Sequence, residues 1–237
     1  MARRSAQGRK GPIDRAVPVF EVRDGGLWTT VQDLGRWGWQ KFGVPPSGAL
    51  DRFAFLCANL LVGNEPGDAC LEMTLRGPEL EVLTPALVAV TGAEMGFRVN
   101  GRPAPAWESI GVERGARLSF PGGKRGVRAY LAVAGGIQVP PVLGSRSTYV
   151  RAGLGGLQGR PLQAGDRLEA GLPRGAGACP GRRIPEELRR RGSGLPLRVI
   201  LGPQHHRFGV RGVLTLLHGA YRILPQSDRM GYRLQGP

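Results

Sequence analysis

Glycine and proline punctuate this chain between short apolar runs, and that pattern limits what it can fold into. The 39 glycines and 20 prolines make up about a quarter of the 237 residues and follow no fixed period. Turns joining short strands explain this better than disorder does. With 41% apolar residues the chain can bury a real core, in one or two domains. Strands are expected at 17–22, 28–33, 79–91, 96–99, 117–120 and 127–134, each rich in Val, Leu, Phe or Thr. One helix is expected from Leu50 to Val62, because Leu50, Phe53, Ala54, Cys57 and Leu61 keep helical spacing. Asp51 suits its positive end and Gly63-Asn64 stops it. The fold class is therefore mainly β, with one or two helices.

Four segments follow from composition. Residues 1–16 read as a disordered basic tail and 17–171 as a first β-rich module. An Arg/Gly/Pro connector spans 172–195, with a short helical possibility around 184–191. Residues 196–237 read as the start of a second β-rich module, with Leu197, Val199, Leu201, Val213, Leu216, Tyr221 and Ile223 on its first strands. TLRGP (74–78) and RLQGP (233–237) share a strand-then-Gly-Pro ending, which suggests a distant repeat. So short a second segment cannot build its own core, so it is expected to be truncated and to dock on the first domain or on a neighbouring chain.

No run of 18 apolar residues occurs, and the N-terminus lacks a signal-peptide core. A cytoplasmic protein with no membrane partner is expected. The three cysteines, Cys57, Cys70 and Cys179, form no C-x-x-C pair and suggest a reducing compartment. The net charge of +15 raises nucleic acid as a partner. Yet residues 1–15 hold five basic side chains against one acidic, and 174–191 hold six against two, so tail and connector carry +8 of it. Thirty of the 33 basic residues are arginine, which fits codon bias better than a phosphate-binding face. No nucleic-acid reading module accompanies them, and no nucleic-acid partner is expected.

Polar residues concentrate where the first strands meet the helix. Thr29, Thr30, Gln32, Asp33 and Arg36 crowd the end of the second strand. They either hold a polar substrate or form a β-turn of Asp33 with Gly35 plus a salt bridge. Val44-Pro45-Pro46-Ser47-Gly48 either aims Ser47 and backbone N–H groups at an anion or caps the helix. Gly144-Ser145-Arg146-Ser147-Thr148 offers an arginine among three hydroxyls, either a phosphate or carboxylate grip or a polar turn. Asn59, among apolar neighbours, is expected to bond the backbone of an adjacent loop. Gln32, Asp33, Arg36, Ser47, Arg146 and Ser147 are expected to converge on one cleft. Arg36 is expected to be exposed, so that its loss weakens turnover far more than stability. GLGGLQG (153–159) fails as a dinucleotide loop, since Pro161, Gly165 and Asp166 stand where a helix should begin. His205-His206 has no partner at ligand spacing, and no metal is expected.

In order along the chain, TTVQDLGRWG, GVPPSGALD, ANLLVGN, LRGPEL, AYLAVAGGI, GSRSTY, GGLQGR, GPQHHRF and SDRMGYRLQGP resemble the KipA family. The family is also known as the 5-oxoprolinase C subunit, the second subunit of allophanate hydrolase, and biotin-dependent carboxyltransferase subdomains A and B. The resemblance spans residues 20–237 and implies cyclophilin-like β-barrel modules, the second incomplete here. Family members continue past the position of Gly236-Pro237. They often carry acidic residues after GPQ, where His205 and His206 stand.

The resemblance implies one component of a multi-chain enzyme, inactive alone, that works with a KipI-like B component and a homologue of the A component. Together they would open 5-oxo-L-proline to L-glutamate with ATP, which binds at the level of the complex. The alternative is carboxyl transfer to urea or a related amide, with biotin carried on another chain. A third reading is a regulatory protein that counters a KipI-like kinase inhibitor. Both substrates contain a planar N–C=O group, which needs donors for its oxygen and an acceptor for its N–H. The resemblance thus implies Gln32, Asp33 and Arg36 as catalytic. Thr29, Thr30, Ser47, Arg146, Ser147, Thr148, Asp228 and Arg229 would bind the substrate.

Overall fold

The computed structural model describes residues 16–123, 125–174, 178–189, 198–229 and 231–237. The expected disorder of 1–15, Leu197 and parts of the connector lie outside the described residues. The chain divides into two compact units, Met1–Arg190 and Arg191–Pro237.

The first unit is built from β1 (Val17–Asp24), β2 (Thr29–Gln32), α1 (Arg52–Leu61), β3 (Cys70–Thr74), β4 (Glu79–Val82) and β5 (Ala86–Glu94). β6 (Arg98–Val99), β7 (Arg102–Pro103), β8 (Ser109–Val112), β9 (Arg117–Ser119), β10 (Arg125–Val133), β11 (Ile137–Gln138) and β12 (Arg167–Ala170) complete it. A seven-stranded sheet runs β11-β12-β1-β4-β9-β6-β7 and a five-stranded sheet β2-β3-β10-β5-β8. All their named pairings are antiparallel.

The period-2 alternation of a strand explains the layering. Leu71 and Met73 of β3 join Phe20, Val22, Val90, Leu118 and Leu131 in a core that draws on both sheets. Cys70, on the opposite face of β3, joins Ala54, Phe55, Ala58 and Leu61 of α1 in a second core. Three contacts fix α1 over the five-stranded sheet. Leu50 N–H donates to Glu72 Oε2 at 2.9 Å, Asp51 N–H to the Tyr130 hydroxyl at 2.7 Å, and Thr91 Oγ1 to the Ala54 carbonyl at 2.7 Å. Asp51 caps the helix by accepting the Ala54 N–H at 3.0 Å. Asn59 donates to the Asp68 carbonyl at 2.9 Å, the backbone bond expected of it.

The mainly β class holds, and the differences lie in particular elements. Residues 79–91 form two strands rather than one, because Leu83 turns to donate to Val19 O at 2.9 Å and Pro85 follows. Strands β3, β8 and β12 escape the apolar-run criterion. Around 184–191, a single 3-10 turn spans Glu186–Leu188.

The second unit contains α2 (Gly209–His218) and the hairpin of β13 (Arg222–Ile223) with β14 (Leu234–Gln235). Val213 and Leu216, expected on strands, lie on α2, and Val199 and Leu201 lie outside regular structure. Val210, Val213, Leu214 and Leu217 repeat at helical spacing, so the period favours a helix there. None of its described residues is buried. No described helix in either unit is long and apolar enough to cross a membrane.

Candidate functional site

The polar residues at the end of β2 meet the 145–148 loop across more than a hundred residues of chain. Asp33 is the hub. Its Oδ1 accepts from Gly35 N–H at 2.7 Å, Ser145 Oγ at 2.7 Å and Ser147 Oγ at 2.6 Å, and its Oδ2 accepts from Arg146 N–H at 2.6 Å. The loop that reads as a carboxylate grip therefore holds a carboxylate of its own chain. The Asp33–Gly35 turn forms as well, so two readings of these residues meet in one structure.

Arg36 is 1% exposed, which overturns the expectation of an exposed side chain. Its Nη1 donates to Ser47 Oγ at 3.2 Å, its Nε to Val142 O at 3.5 Å and its Nη2 to Ser147 O. These acceptors are neutral, so the anticipated salt bridge is replaced by a fork of backbone and hydroxyl oxygens. Burial pulls the Arg36 pKa below its ordinary value, and the charge of Asp33 opposes that shift.

Two backbone bonds clamp the neighbouring turn against the cluster: Arg36 N–H to Pro46 O at 2.7 Å and Ala49 N–H to Asp33 O at 2.8 Å. Gly48 sits at φ +81°, where a Cβ would stand 2.8 Å from Gly35 N, so the approach requires glycine. Ser47 takes a positive φ of 56° and receives Arg36, while Asp51 caps the helix in its place.

Gln32 is fully buried; its Nε2 donates to Thr30 Oγ1 at 3.0 Å and Thr148 O at 3.2 Å. Thr148 Oγ1 bonds Val31 O at 2.9 Å. Gln32 Oε1 and Thr29 Oγ1 are buried without a hydrogen-bond partner among the described residues. The structure thus gathers Gln32, Asp33, Arg36, Ser47, Ser147 and Thr148 with the backbone of Arg146. They form a packed cluster rather than an open cleft, because the protein's own donors fill the space around Asp33. The Arg146 guanidinium turns away, to Val139 O at 3.1 Å and Gln138 Oε1 at 3.0 Å. Asp228 and Arg229 belong to the second unit, where Asp228 closes a turn by accepting Gly231 N–H at 3.1 Å.

Gly155 belongs to the cluster although sequence reasoning meets it only in the rejected 153–159 loop, and Ser145 joins as one of the three hydroxyls around Arg146. A Cβ at Gly155 would overlap Ser147 O and Arg36 Nη2, so glycine there leaves room for the guanidinium. The flanking hydroxyls around Arg146 are the one sequence signal for Ser145. His205 and His206 are exposed on a 3-10 helix spanning residues 205–208, and no group of three metal-ligating side chains occurs among the described residues.

Comparison with known proteins places the chain. The carboxyltransferase domain, subdomain A and B, matches residues 42–237. The chain is 39% identical to the 5-oxoprolinase C subunit of Escherichia coli over 92% of its length and 69% of that protein. It is 42% identical to urea amidolyase of Lachancea kluyveri, over 65% of this chain and 8% of that one. The crystal structure of TTHA0988 superposes with a TM-score of 0.80 at 37% identity, covering 93% of this chain and 79% of that one. Urea amidolyase of K. lactis superposes with a TM-score of 0.77 at 33% identity, covering 95% of this chain and 14% of that one. With motif order, fold and sequence in agreement, the chain belongs to the carboxyltransferase-domain family of subdomains A and B.

Proposed function

We propose that this chain is one component of an ATP-dependent 5-oxoprolinase that opens 5-oxo-L-proline to L-glutamate, together with a KipI-like B component and a homologue of the A component. The observation that carries this reading is the collinear match to the 5-oxoprolinase C subunit across 92% of the chain and 69% of that protein. In this reading ATP binds to the companion chains. The glycine loop at 153–159 leads into β12 without an intervening helix, so it lacks the helix N-terminus that would receive a phosphate. Asp33 and Arg36 hold the 145–148 loop in place and the lactam is bound by neighbouring polar groups.

The test is reconstitution. The chain is co-expressed with both companions, and glutamate release from 5-oxoproline is followed with and without ATP. ATP-dependent release that requires all three chains supports the reading.

The match to urea amidolyase at 42% identity favours carboxyl transfer as a second reading, with biotin supplied by another chain. An inactive lactam assay beside biotin-dependent carboxylation of urea would replace the first reading with the second. Companion binding with neither activity would favour the regulatory role.

A further inference from the structure

At one end of the first unit the two sheets enclose a groove of about 360 Å³. Val17 and Val19 of β1 and Ala170 of β12 line it from the seven-stranded sheet. Leu87 of β5, Val112 of β8 and Val133 of β10 line it from the five-stranded one. Val19, Val112, Val133 and Ala170 are buried core, whereas Val17 and Leu87 are only half-buried. A concavity of this size and character takes a ligand or several apolar side chains. Glu113 is the one charged residue among the described ones that line it. Its side chain is exposed and has no ion pair or hydrogen bond to any described residue.

The chain enters the fold through this groove. β1 begins at Val17, on the groove wall, and is held there from both sides. Val17 pairs with Ala170 on one side, and on the other Thr84 Oγ1 donates to Pro18 O at 2.7 Å. The groove continues beyond both contacts, along Thr84, Pro85 and Ala86 on one lip and Gly171 and Pro173 on the other. The fifteen residues before Ala16 are therefore tethered at its mouth. They carry five basic side chains against one acidic, and Ile13 is their one branched aliphatic residue. A basic segment with a single aliphatic anchor complements an apolar groove edged by an unpaired carboxylate. Tethering also gives this segment a high effective concentration, which favours it over a free peptide or a second copy.

We propose that the groove seats the chain's own N-terminal segment, with residues 13–16 continuing β1 past Val17. The antiparallel register of Pro18 with Glu169 and Val17 with Ala170, carried backwards, sets Ala16 opposite Gly171 and Asp14 opposite Pro173. Strand alternation then turns Arg15 and Ile13 to the side of Val17, which lines the groove. Ile13, about 13 Å of extended chain from Val17, fills the apolar space, and Arg15 pairs with the Glu113 carboxylate. The seated segment ties the two sheets together where they would otherwise stand apart.

The experiment records methyl NOE spectra of the full 237-residue chain, labelled at its Ile, Leu and Val methyl groups. The expected result is a set of cross-peaks from the Ile13 δ1 methyl to the methyls of Leu87 and Val112. In a mixture of labelled and unlabelled chains, an isotope filter selects contacts between chains, and none from Ile13 should pass it. Ile13→Asp places a charge against an apolar wall and should empty the groove. The Leu87 and Val112 resonances then shift, while an unmoved Leu61, in the core beneath α1, shows that the variant is folded. Arg15→Glu and Glu113→Arg should each weaken the Ile13 cross-peaks, and the two together should restore them. An Ile13 methyl without cross-peaks to the groove overturns the proposal, as do groove resonances unmoved by Ile13→Asp. Cross-peaks that appear only through the isotope filter overturn it in favour of a second copy. Weakening without restoration in the double variant overturns the pairing of Arg15 with Glu113.

Discussion

Ser147 and Asp33 bond each other twice: the serine hydroxyl donates to Asp33 Oδ1 at 2.6 Å and receives the Asp33 backbone N–H at 3.0 Å. This reciprocal pair joins strand and loop 114 positions apart, and the energetics of the cluster follow from it.

Asp33→Ala would strand two hydroxyls and two N–H groups in a buried setting. The expected loss is about 3–5 kcal/mol of unfolding free energy. Asp33→Asn keeps one acceptor oxygen and should cost about 2 kcal/mol. Urea unfolding midpoints at constant m-value measure both. An alanine variant as stable as wild type would remove Asp33 from its place as hub.

Arg36→Ala should destabilise by about 3 kcal/mol, since it leaves carbonyl and hydroxyl acceptors unpaired and opens a cavity. Arg36→Lys should recover little, because an ammonium lacks the planar fork that reaches Ser47, Val142 and Ser147 together. Gly155→Ala should mimic the loss by pressing a methyl group on the guanidinium and Ser147 O. Thermal unfolding of the three variants side by side gives the comparison.

Two aspartates give stability opposite slopes in pH. The Arg160 hydrogen bond, at 2.7 Å, holds Asp166 below the ordinary 3.8. Its contribution is therefore complete above pH 3.8 and fades as pH falls through the lower folded value. Burial raises Asp68 above 3.8, so its contribution is complete below pH 3.8 and is lost as pH rises through the folded value. The stability advantage of wild type over Asp166→Asn should shrink on acidification. Relative to Asp68→Asn, wild type should gain. Urea midpoints across the acidic range read both signs.

The thiols should separate by accessibility. Cys179 is exposed, whereas Cys57 and Cys70 are buried and burial pushes both thiols up. A thiol reagent should modify Cys179 promptly and the other two only on unfolding, as mass spectrometry of modified peptides would report. Prompt labelling of Cys70 would contradict the packing beneath α1.

What could be read in advance follows from the range of each signal. The helix expected over 50–62 is legible because its spacing, the acidic Asp51 at its positive end and its glycine stop all lie within one short segment, although the cap proves to be Asp51 rather than Ser47. Strand β3 is harder to see, since Cys70 and Glu72 face a helix and Leu71 and Met73 face a core, which blurs the alternation. The cluster residues are legible as a list but not as an arrangement. Nothing local to Asp33 says that its partners are Ser145 and Ser147, and nothing local to Arg36 says that it is buried. The 209–218 helix carries its own period, and the β-branched Val210, Val213 and Thr215 with Gly209 and Gly212 mask it.

Strand β1 waits for β12. Glu21 stands opposite Arg167, 146 positions along the chain, and Val17 opposite Ala170. During synthesis one edge of β1 can pair with β4 early, whereas its other edge leaves the ribosome long before β12 exists. Pairing across such a separation closes a large loop and is slow to nucleate. The nascent chain must carry an open edge through most of its translation, and a halt before residue 167 leaves a half-built sheet ready to pair with its neighbours.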